Sequence, residues 1–174
     1  CDLNINITMS SCDIVGKFYA QNVDIKLFEN NMIVPNSSKE STMKFTLDID
    51  VTTGQHVEIK INPLLRGLIE PGTNLKLKSD SIANEFKIKS DVKLRGGEVI
   101  YLNRNFYLRE GRIILDEDGE TFDPRLTVRA EIRERDENGE PVRIIMSAEN
   151  QRLSEFNPSY ISSPARSELE IMTM

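Results

Sequence analysis

The sequence predicts an all-β fold, and three observations lead to this prediction. Apolar and polar residues alternate in most segments of the chain, and successive side chains of a strand point to opposite faces, so each segment is expected to form a strand with one apolar face. Helical spacing of apolar residues is rare. Short runs of glycine, proline, asparagine and charged residues separate the segments, as turns do. We therefore expect about twelve strands and little helix.

The alternating segments follow one another along the chain, and residues 96–119 add three short apolar stretches between the sixth and seventh. The Gly96-Gly97 pair that opens this region predicts a tight turn or a bulge. In order, the alternating segments are DLNINITM, NVDIKLF, MKFTLDIDV, HVEIKI, NLKLK, EFKIKSDVKL, RLTVRAEI and VRIIMSA.

Two stretches fit a helix better than a strand. In NPLLRGLIEPG, apolar residues recur at i, i+4 spacing between Leu64 and Ile69, Pro63 is a suitable first residue, and Pro71-Gly72 is a suitable end. The tail SPARSELEIM is the second candidate. We expect one or two helical turns at the first of these places.

The strand register of one hairpin can be predicted from the sequence alone. The Asn138-Gly139 pair is a strong turn signal. A two-residue loop would place Ile144 opposite Arg133, whereas a three-residue loop pairs Ile144 with Ile132 and keeps the apolar residues on one face. We predict the three-residue loop, although Arg133 then lies opposite Arg143.

Composition argues against several classes of function. The 174 residues carry a net charge of −6, and the lysines and arginines occur singly along the strands, so nucleic acid is not an expected partner. No apolar run is long enough to span a membrane. Because the chain begins with Cys1 rather than Met, we expect it to be part of a longer protein, organised as a single β-domain over residues 1–174.

Residues that carry catalysis or bind metals are scarce. Cys1, Cys12 and His56 are the only cysteines and histidine, so no structural zinc site is expected, and a disulfide between the two cysteines is left open. His56 is predicted to lie at the start of a strand. An acidic cluster that resembles a calcium loop lacks EF-hand spacing and is interpreted as a solvated turn: Asp116, Glu117, Asp118, Glu120 and Asp123. We expect no enzyme, no metal and no cofactor.

Strands with one apolar face and no helices to cover them leave two architectures open. The sheet can close on itself as a sandwich or barrel whose apolar residues form the core. Alternatively, it can curl into a trough whose apolar lining is covered by something else. The pattern alone favours the closed form, and an aliphatic lining without buried polar groups is also compatible with acyl chains.

The C-terminal half carries a series of motifs that resembles a known family. The residues concerned are Gly96-Gly97, Tyr101, Arg104, Phe106, Leu108, Gly111, Ile113, Asp123-Pro124, Leu126, Ala130, Ser163, Pro164, Ser167, Glu170 and Ile171. In this order they resemble the C-terminal region of the TamB family of AsmA-like translocation and assembly module proteins, over residues 86–174. Residues 1–85 resemble the family only in their alternating strands.

This resemblance implies an elongated, curled β-sheet with an apolar interior, a β-taco or open trough. It further implies a parent protein that is anchored in the inner membrane, crosses the periplasm and meets an outer-membrane barrel of the TamA/BamA class. The groove would carry phospholipid in outer-membrane biogenesis. We expect residues 163–174 and the last strand to form the barrel-facing end. The alternatives are a closed β-sandwich that acts as a binding or adhesion module and a periplasmic chaperone for outer-membrane proteins.

On this interpretation, the inward-facing apolar residues are the candidate lipid-binding groove. The alternative role for each of them is ordinary core packing. The candidates are Leu47, Ile49, Ile59, Ile61, Leu75, Leu77, Phe86, Ile88, Val92, Leu94, Val128, Ile132, Ile144 and Met146.

Overall fold

The computed structural model of the chain describes residues 2–27, 43–83, 85–117 and 122–173. In these residues it contains twelve strands, a 3₁₀ turn (Leu153–Glu155) and one short helix, α1 (Glu168–Thr173). The strands are β1 (Asp2–Ile7), β2 (Ser11–Ala20), β3 (Val23–Leu27), β4 (Lys44–Thr53), β5 (Val57–Ile61), β6 (Leu65–Ile69), β7 (Asn74–Asp80), β8 (Glu85–Tyr101), β9 (Arg104–Glu117), β10 (Arg125–Arg135), β11 (Pro141–Arg152) and β12 (Ser159–Ser163).

All twelve strands belong to one open sheet. Its main order is β1-β2-β4-β7-β8-β9-β10-β11-β12, while β3 pairs with β5, β5 with β6, and β6 with β8. The β2/β4 and β3/β5 pairs are parallel, and the other pairs are antiparallel. The expectation of an all-β, curled open sheet is confirmed.

Several of these strands are halves of longer ones. Only short breaks separate β2 from β3, β4 from β5, and β6 from β7, and the long strand β8 pairs with β7 along its first half and with β6 along its second. The sheet is therefore a ladder of long strands, most of which are interrupted partway along. This arrangement explains why β3, β5 and β6 lie off the main path.

The breaks lie side by side on neighbouring strands. Backbone hydrogen bonds join them in sequence: Gly54 N–H donates to Ala20 O (2.7 Å), Gly72 N–H to Thr53 O (2.7 Å), and Glu70 N–H to Lys93 O (2.8 Å). Asn22, His56, Gly72 and Gly97 have positive φ at this line. We call residues 20–22, 53–56, 70–73 and 95–97 the crease.

Burial shows that the sheet folds over itself. One face of a single sheet stays exposed to solvent unless another layer covers it. The apolar face nevertheless contains residues with no exposed surface, and in the described part of the chain the only other layer is the same sheet. The fully buried members are Val57, Ile59, Ile69, Val92, Val99, Ile113, Ala130, Ile144 and Met146.

The β12 end of the interior is closed by aromatic side chains and by the tail. The ring of Tyr101, beside the β8–β9 turn, packs edge-on against Phe156 from beyond the 3₁₀ turn, with centroids 5.8 Å apart. Tyr160 on β12 lies 6.2 Å from Phe106 on β9. Ile171 of α1 is 1% exposed and completes the cluster.

The sequence-based secondary structure holds for most of the described chain, but β2 and β12 were not among the alternating segments and one predicted helix is a strand. The three-residue hairpin register is confirmed, including the pairing of Ile132 with Ile144 and of Arg133 with Arg143. The tail helix is also confirmed. The helix expected at residues 64–69 is wrong: this segment is β6, whose Leu65 and Ile69 face the core while Gly67 lies against Gly97. The i, i+4 spacing of leucines there also fits a strand that is covered on one face.

The bulge in β8 allows the same substitution to be compared at two adjacent glycines, Gly96 and Gly97. A Cβ at Gly97 would lie 2.1 Å from Arg66 O and 2.6 Å from Gly67 Cα, and its φ of 143° disfavours a side chain. A Cβ at Gly96 would meet nothing within 4 Å. Gly97→Ala should therefore lower the free energy of unfolding by about 2 kcal/mol or more, whereas Gly96→Ala should change it by less than about 1 kcal/mol. Urea denaturation measures both values, and equal losses would contradict the close strand approach at the crease.

Candidate functional site

All fourteen candidate groove residues lie on the interior face of the sheet, but they fall into two groups. The first group is sealed by the protein's own side chains: Ile59, Ile61, Leu75, Ile88, Val92, Leu94, Val128, Ile144 and Met146. The second group is only partly buried: Leu47, Ile49, Leu77, Phe86 and Ile132. The interior is therefore packed by its own walls over most of its length.

The partly buried residues mostly belong to the N-terminal side of the sheet. One row of paired residues runs Leu3–Gly16–Ile49–Leu77–Ile88 across β1, β2, β4, β7 and β8. Burial increases along this row, from 48% exposure at Leu3 to 4% at Ile88. The apolar face thus continues outward to the β1 edge, where the described residues no longer cover it.

The residues of β1 show the same opening. Ile5 and Ile7 share the interior face with Leu3 and are 50% and 67% exposed. Phe45 on β4 is also exposed; it pairs with Cys12 on β2, which in turn pairs with Ile7. We call this surface, formed by Leu3, Ile5, Ile7, Phe45 and Ile49, the open end.

Several residues on the interior face were not included in the predicted groove. Those in residues 96–115 and in β6 were missed because the first region was interpreted as separate stretches and the second as a helix, although alternation was present in both. Val57, Leu126, Ala130 and Val142 lie in predicted alternating segments but were not selected. These additional residues are Val57, Leu65, Ile69, Val99, Phe106, Leu108, Ile113, Leu115, Leu126, Ala130 and Val142.

The tail is held at the closed end by polar contacts as well as by Ile171. Arg104 Nη1 donates to Ile171 O at 2.8 Å, and Arg166 Nη2 forms an ion pair with Asp136 at 2.5 Å. The hydroxyl of Tyr160 is buried in this region without a hydrogen-bond partner among the described residues. Burial raises the pKa of Tyr160 above its ordinary value.

Other predicted features have ordinary roles in the described structure. His56 lies in the turn before β5, as part of the crease. In the acidic turn, Asp116 pairs with Lys89 at 2.9 Å, and the Asp123 carboxylate accepts hydrogen bonds from the backbone and hydroxyl of Ser154. Residues 118–121, which include Asp118 and Glu120 of the predicted cluster, lie outside the described residues. Cys1, and with it the question of a disulfide, also lies outside them.

Among the described residues, the outer face carries a well-buried charge. Glu131 on β10 is 5% exposed and accepts hydrogen bonds from Arg109 on β9 and from Arg143 on β11, the latter through Nε at 3.0 Å. These two guanidinium groups lower the pKa of Glu131 to about 2. Glu131 is therefore ionised throughout the neutral range, and its charge fixes the relative positions of three strands.

The model of the TamB C-terminal domain matches residues 19–174. The chain belongs to the TamB family. The match extends far upstream of the motifs at residues 86–174 and includes β3 to β7, whereas β1 and nearly all of β2 lie outside it.

Membership in the TamB family places the chain among cell-envelope proteins whose family associates with outer-membrane partners of the TamA type. None of the curated proteins compared matches the chain. Among the described residues, no helix is both long and apolar enough to cross a membrane.

The pKa of Glu131 predicts a specific dependence of stability on pH. Because its pKa is lowered in the folded state from an ordinary value near 4.5, its ion pairs stabilise the fold fully above about pH 4.5. This contribution should be lost as the pH falls towards about 2. Glu131→Gln should therefore be less stable than the parent at neutral pH, and the difference should shrink through this window. Urea midpoints measured at each pH test this, and a difference that stays constant would contradict the role of the charge.

The unpartnered hydroxyl of Tyr160 predicts an unusual result for a core substitution. Removing a buried hydroxyl that has no hydrogen bond removes a desolvation cost and leaves the ring in place. Tyr160→Phe should be as stable as the parent or more stable by about 1 kcal/mol. The exposed Tyr107, changed to Phe, is the control and should have no effect. Thermal unfolding measures both stabilities. A clearly lower melting temperature for Tyr160→Phe would mean that the hydroxyl of Tyr160 has a hydrogen-bond partner.

Proposed function

We propose that this domain carries phospholipid acyl chains on its apolar interior face and passes them towards the outer membrane, in support of outer-membrane biogenesis. The observation that carries the proposal is the open end, where the interior face stays apolar while the described chain leaves it uncovered. An exposed contiguous apolar surface of this kind usually marks an interaction site.

The chemistry of the open end suits an acyl chain. Its side chains are aliphatic or aromatic and offer no hydrogen bond that would select a polar ligand. An acyl chain gains about 0.8 kcal/mol for each methylene that leaves water, without any directional contact. The exposed surface therefore favours a long apolar ligand over a small polar one, and moving such a ligand requires no catalytic group.

The gradient of burial suggests a path for the ligand. From the open end, the partly buried Leu47, Ile49, Leu77 and Phe86 lead towards the sealed residues that begin at Ile88. Acyl chains would contact the partly buried group first. They would reach the nine sealed residues only when the two walls of the folded sheet move apart. We therefore propose that these nine residues contact lipid in a second step, after entry at the open end.

The β12 end is the proposed exit. In the described structure β12 pairs with β11 alone, so one of its edges can accept a further strand. We propose that this edge and residues 163–174 meet an outer-membrane barrel of the TamA/BamA class. In the same proposal the domain lies in the periplasm and belongs to a parent chain that is anchored in the inner membrane, and neither nucleic acid nor a cofactor takes part.

A second candidate function follows from a different observation. The nine sealed groove residues pack as an ordinary core, as they would in a closed binding or adhesion module. On that account the open end would be a docking surface and no ligand would enter the interior. A chaperone for outer-membrane proteins would likewise use only the open end. The position of lipid contacts separates these functions.

Photo-crosslinking tests the proposal directly. A photoreactive phenylalanine analogue at Ile49, which faces the interior, should capture lipid from vesicles of phosphatidylethanolamine and phosphatidylglycerol. The same analogue at the neighbouring Asp50, which faces outward, is the control and should capture little. Mass spectrometry of the products gives the yields. Equal yields at the two positions, or none at either, would contradict a lipid-carrying interior face.

A matched pair on β1 gives an independent test. Ile5→Glu places a charge on the interior face of the open end, whereas Asn4→Glu places the same charge on the opposite face. Both side chains are exposed, so both variants should keep the stability of the parent within about 1 kcal/mol. Lipid capture should fall several-fold in Ile5→Glu alone. Capture that is unchanged in Ile5→Glu would exclude the open end as the site of entry.

A further inference from the structure

The outer face of β9, β10 and β11 contains a depression that is rich in arginine. Its cavity has a volume of about 320 Å³ and is lined by Arg109, Glu110, Arg129, Ala130, Glu131, Arg133, Arg143 and Ile145. The strand pairing assembles it: Glu131 is opposite Tyr107 on β9 and Ile145 on β11, and Arg129 and Arg133 are two residues away from Glu131 on the same face. It lies on the side of the sheet opposite the apolar groove.

Hydrogen bonding divides the four arginines into two pairs. Both carboxylate oxygens of Glu131 are already used, Oε1 by Arg109 and Oε2 by Arg143. The single negative charge of Glu131 is therefore already shared between Arg109 and Arg143. Within residues 2–27, 43–83, 85–117 and 122–173, neither of these two arginines has an ion pair with a carboxylate.

The balance of charge in the depression is positive. Four arginines face two glutamates, which leaves a surplus of two positive charges in a chain whose net charge is −6. A neighbouring depression of about 350 Å³ shares Arg109 and Glu110 and adds Glu70, Lys93, Arg95 and Arg112, the last of which pairs with Asp91. Since Arg129 and Arg133 have no carboxylate partner among the described residues, an anion that binds between them reduces their mutual repulsion.

We propose that Arg129 and Arg133, on either side of the Glu131 ion pairs, form a binding site for a phosphate group. A planar guanidinium group donates two parallel hydrogen bonds to a phosphate, and two such groups can hold one phosphate between them. The Glu131 carboxylate acts as a positioning residue because it holds Arg109 and Arg143 at the rim. The volume of the cavity is at the lower end of the range for small-molecule sites, which suits a single headgroup-sized anion.

The phosphate could belong to a lipid headgroup or to a soluble phosphate ester, and the surroundings bear on this choice. Ile145 lines the cavity; its partner Ile161 on β12 is 63% exposed, and Tyr107, on the other side of Glu131 in the same row of the ladder, is 65% exposed. An apolar margin beside a phosphate site fits an amphiphile. The site does not depend on the groove function proposed above, because it lies on the other face of the sheet.

The test compares two double variants that remove the same charge. Arg129→Gln with Arg133→Gln removes the proposed ligands, whereas Lys26→Gln with Lys76→Gln removes two lysines from β3 and β7. Inorganic phosphate is titrated into each protein and followed by nuclear magnetic resonance of backbone amides and arginine Nε–H groups. The parent and the lysine variant should show saturable shifts centred on residues 129–133. The arginine variant should bind about tenfold more weakly or worse.

A third variant separates a built site from general charge. Arg129→Lys with Arg133→Lys keeps both positive charges but removes the paired donors of the guanidinium groups. It should lose several-fold in phosphate affinity. If the lysine-for-arginine variant binds as well as the parent, or if the two glutamine variants bind equally, the proposal is overturned. Absence of a saturable shift in the parent would overturn it as well.

Vesicles identify the source of the phosphate. The same proteins are sedimented with vesicles of phosphatidylglycerol and, as a control, of phosphatidylcholine, after the parent has shown saturable phosphate binding. Binding to the anionic vesicles that is lost only in the arginine variants assigns the site to a lipid headgroup. If the arginine variants sediment like the parent, the site takes a soluble phosphate ester instead. Both results are consistent with a phosphate site and differ only in whether the phosphate belongs to a lipid headgroup or to a soluble ester.

Discussion

The structure depends on one constraint: a sheet with a single apolar face has no other layer to cover it in the described chain. Each aliphatic side chain removed from water contributes about 1.5–3 kcal/mol, so this face cannot remain open along its whole length. The sheet meets the constraint by folding over itself. At the crease, positive-φ residues such as His56 and Gly72 interrupt neighbouring strands at the same level. Residues from both sides of the crease then form one core.

The same constraint is satisfied unevenly, and this unevenness is what links the fold to function. At the β12 end the aromatic cluster and Ile171 close the interior. At the β1 end Ile5 and Ile7 keep half or more of their surface exposed. A uniformly sealed sheet would be only a core, and a uniformly open one would lack the burial that holds it together. A sheet that is sealed at one end and open at the other can be stable and still offer an apolar surface to a ligand.

The sequence allowed the local structure to be predicted well, because alternation and turn signals act over a few residues. The β10–β11 hairpin register followed from keeping apolar residues on one face, even though Arg133 meets Arg143. The segment at residues 64–69 was assigned to a helix because its leucine spacing also fits a strand, and only the pairing of Gly67 with Gly97 resolves the two. The interior face was predictable for the same local reason. Which of its residues are sealed was not, because burial depends on how strands distant in the sequence pack in the folded sheet. The phosphate site was missed for a similar reason: Arg129 and Arg133 resemble every other strand arginine until the register of three strands is known.

The accessibility of cysteines placed on the interior face tests most directly whether the sheet is open at one end. In a background with Cys1 and Cys12 changed to serine, Ile49→Cys reports on the open end and Ile144→Cys on the sealed interior. The rate of alkylation by a small maleimide is measured for each in increasing urea. The thiol at position 49 should react quickly without denaturant, whereas the thiol at position 144 should react only as fast as the domain unfolds. Slow, urea-dependent reaction at both positions would mean that the interior is sealed along its whole length and would contradict this account.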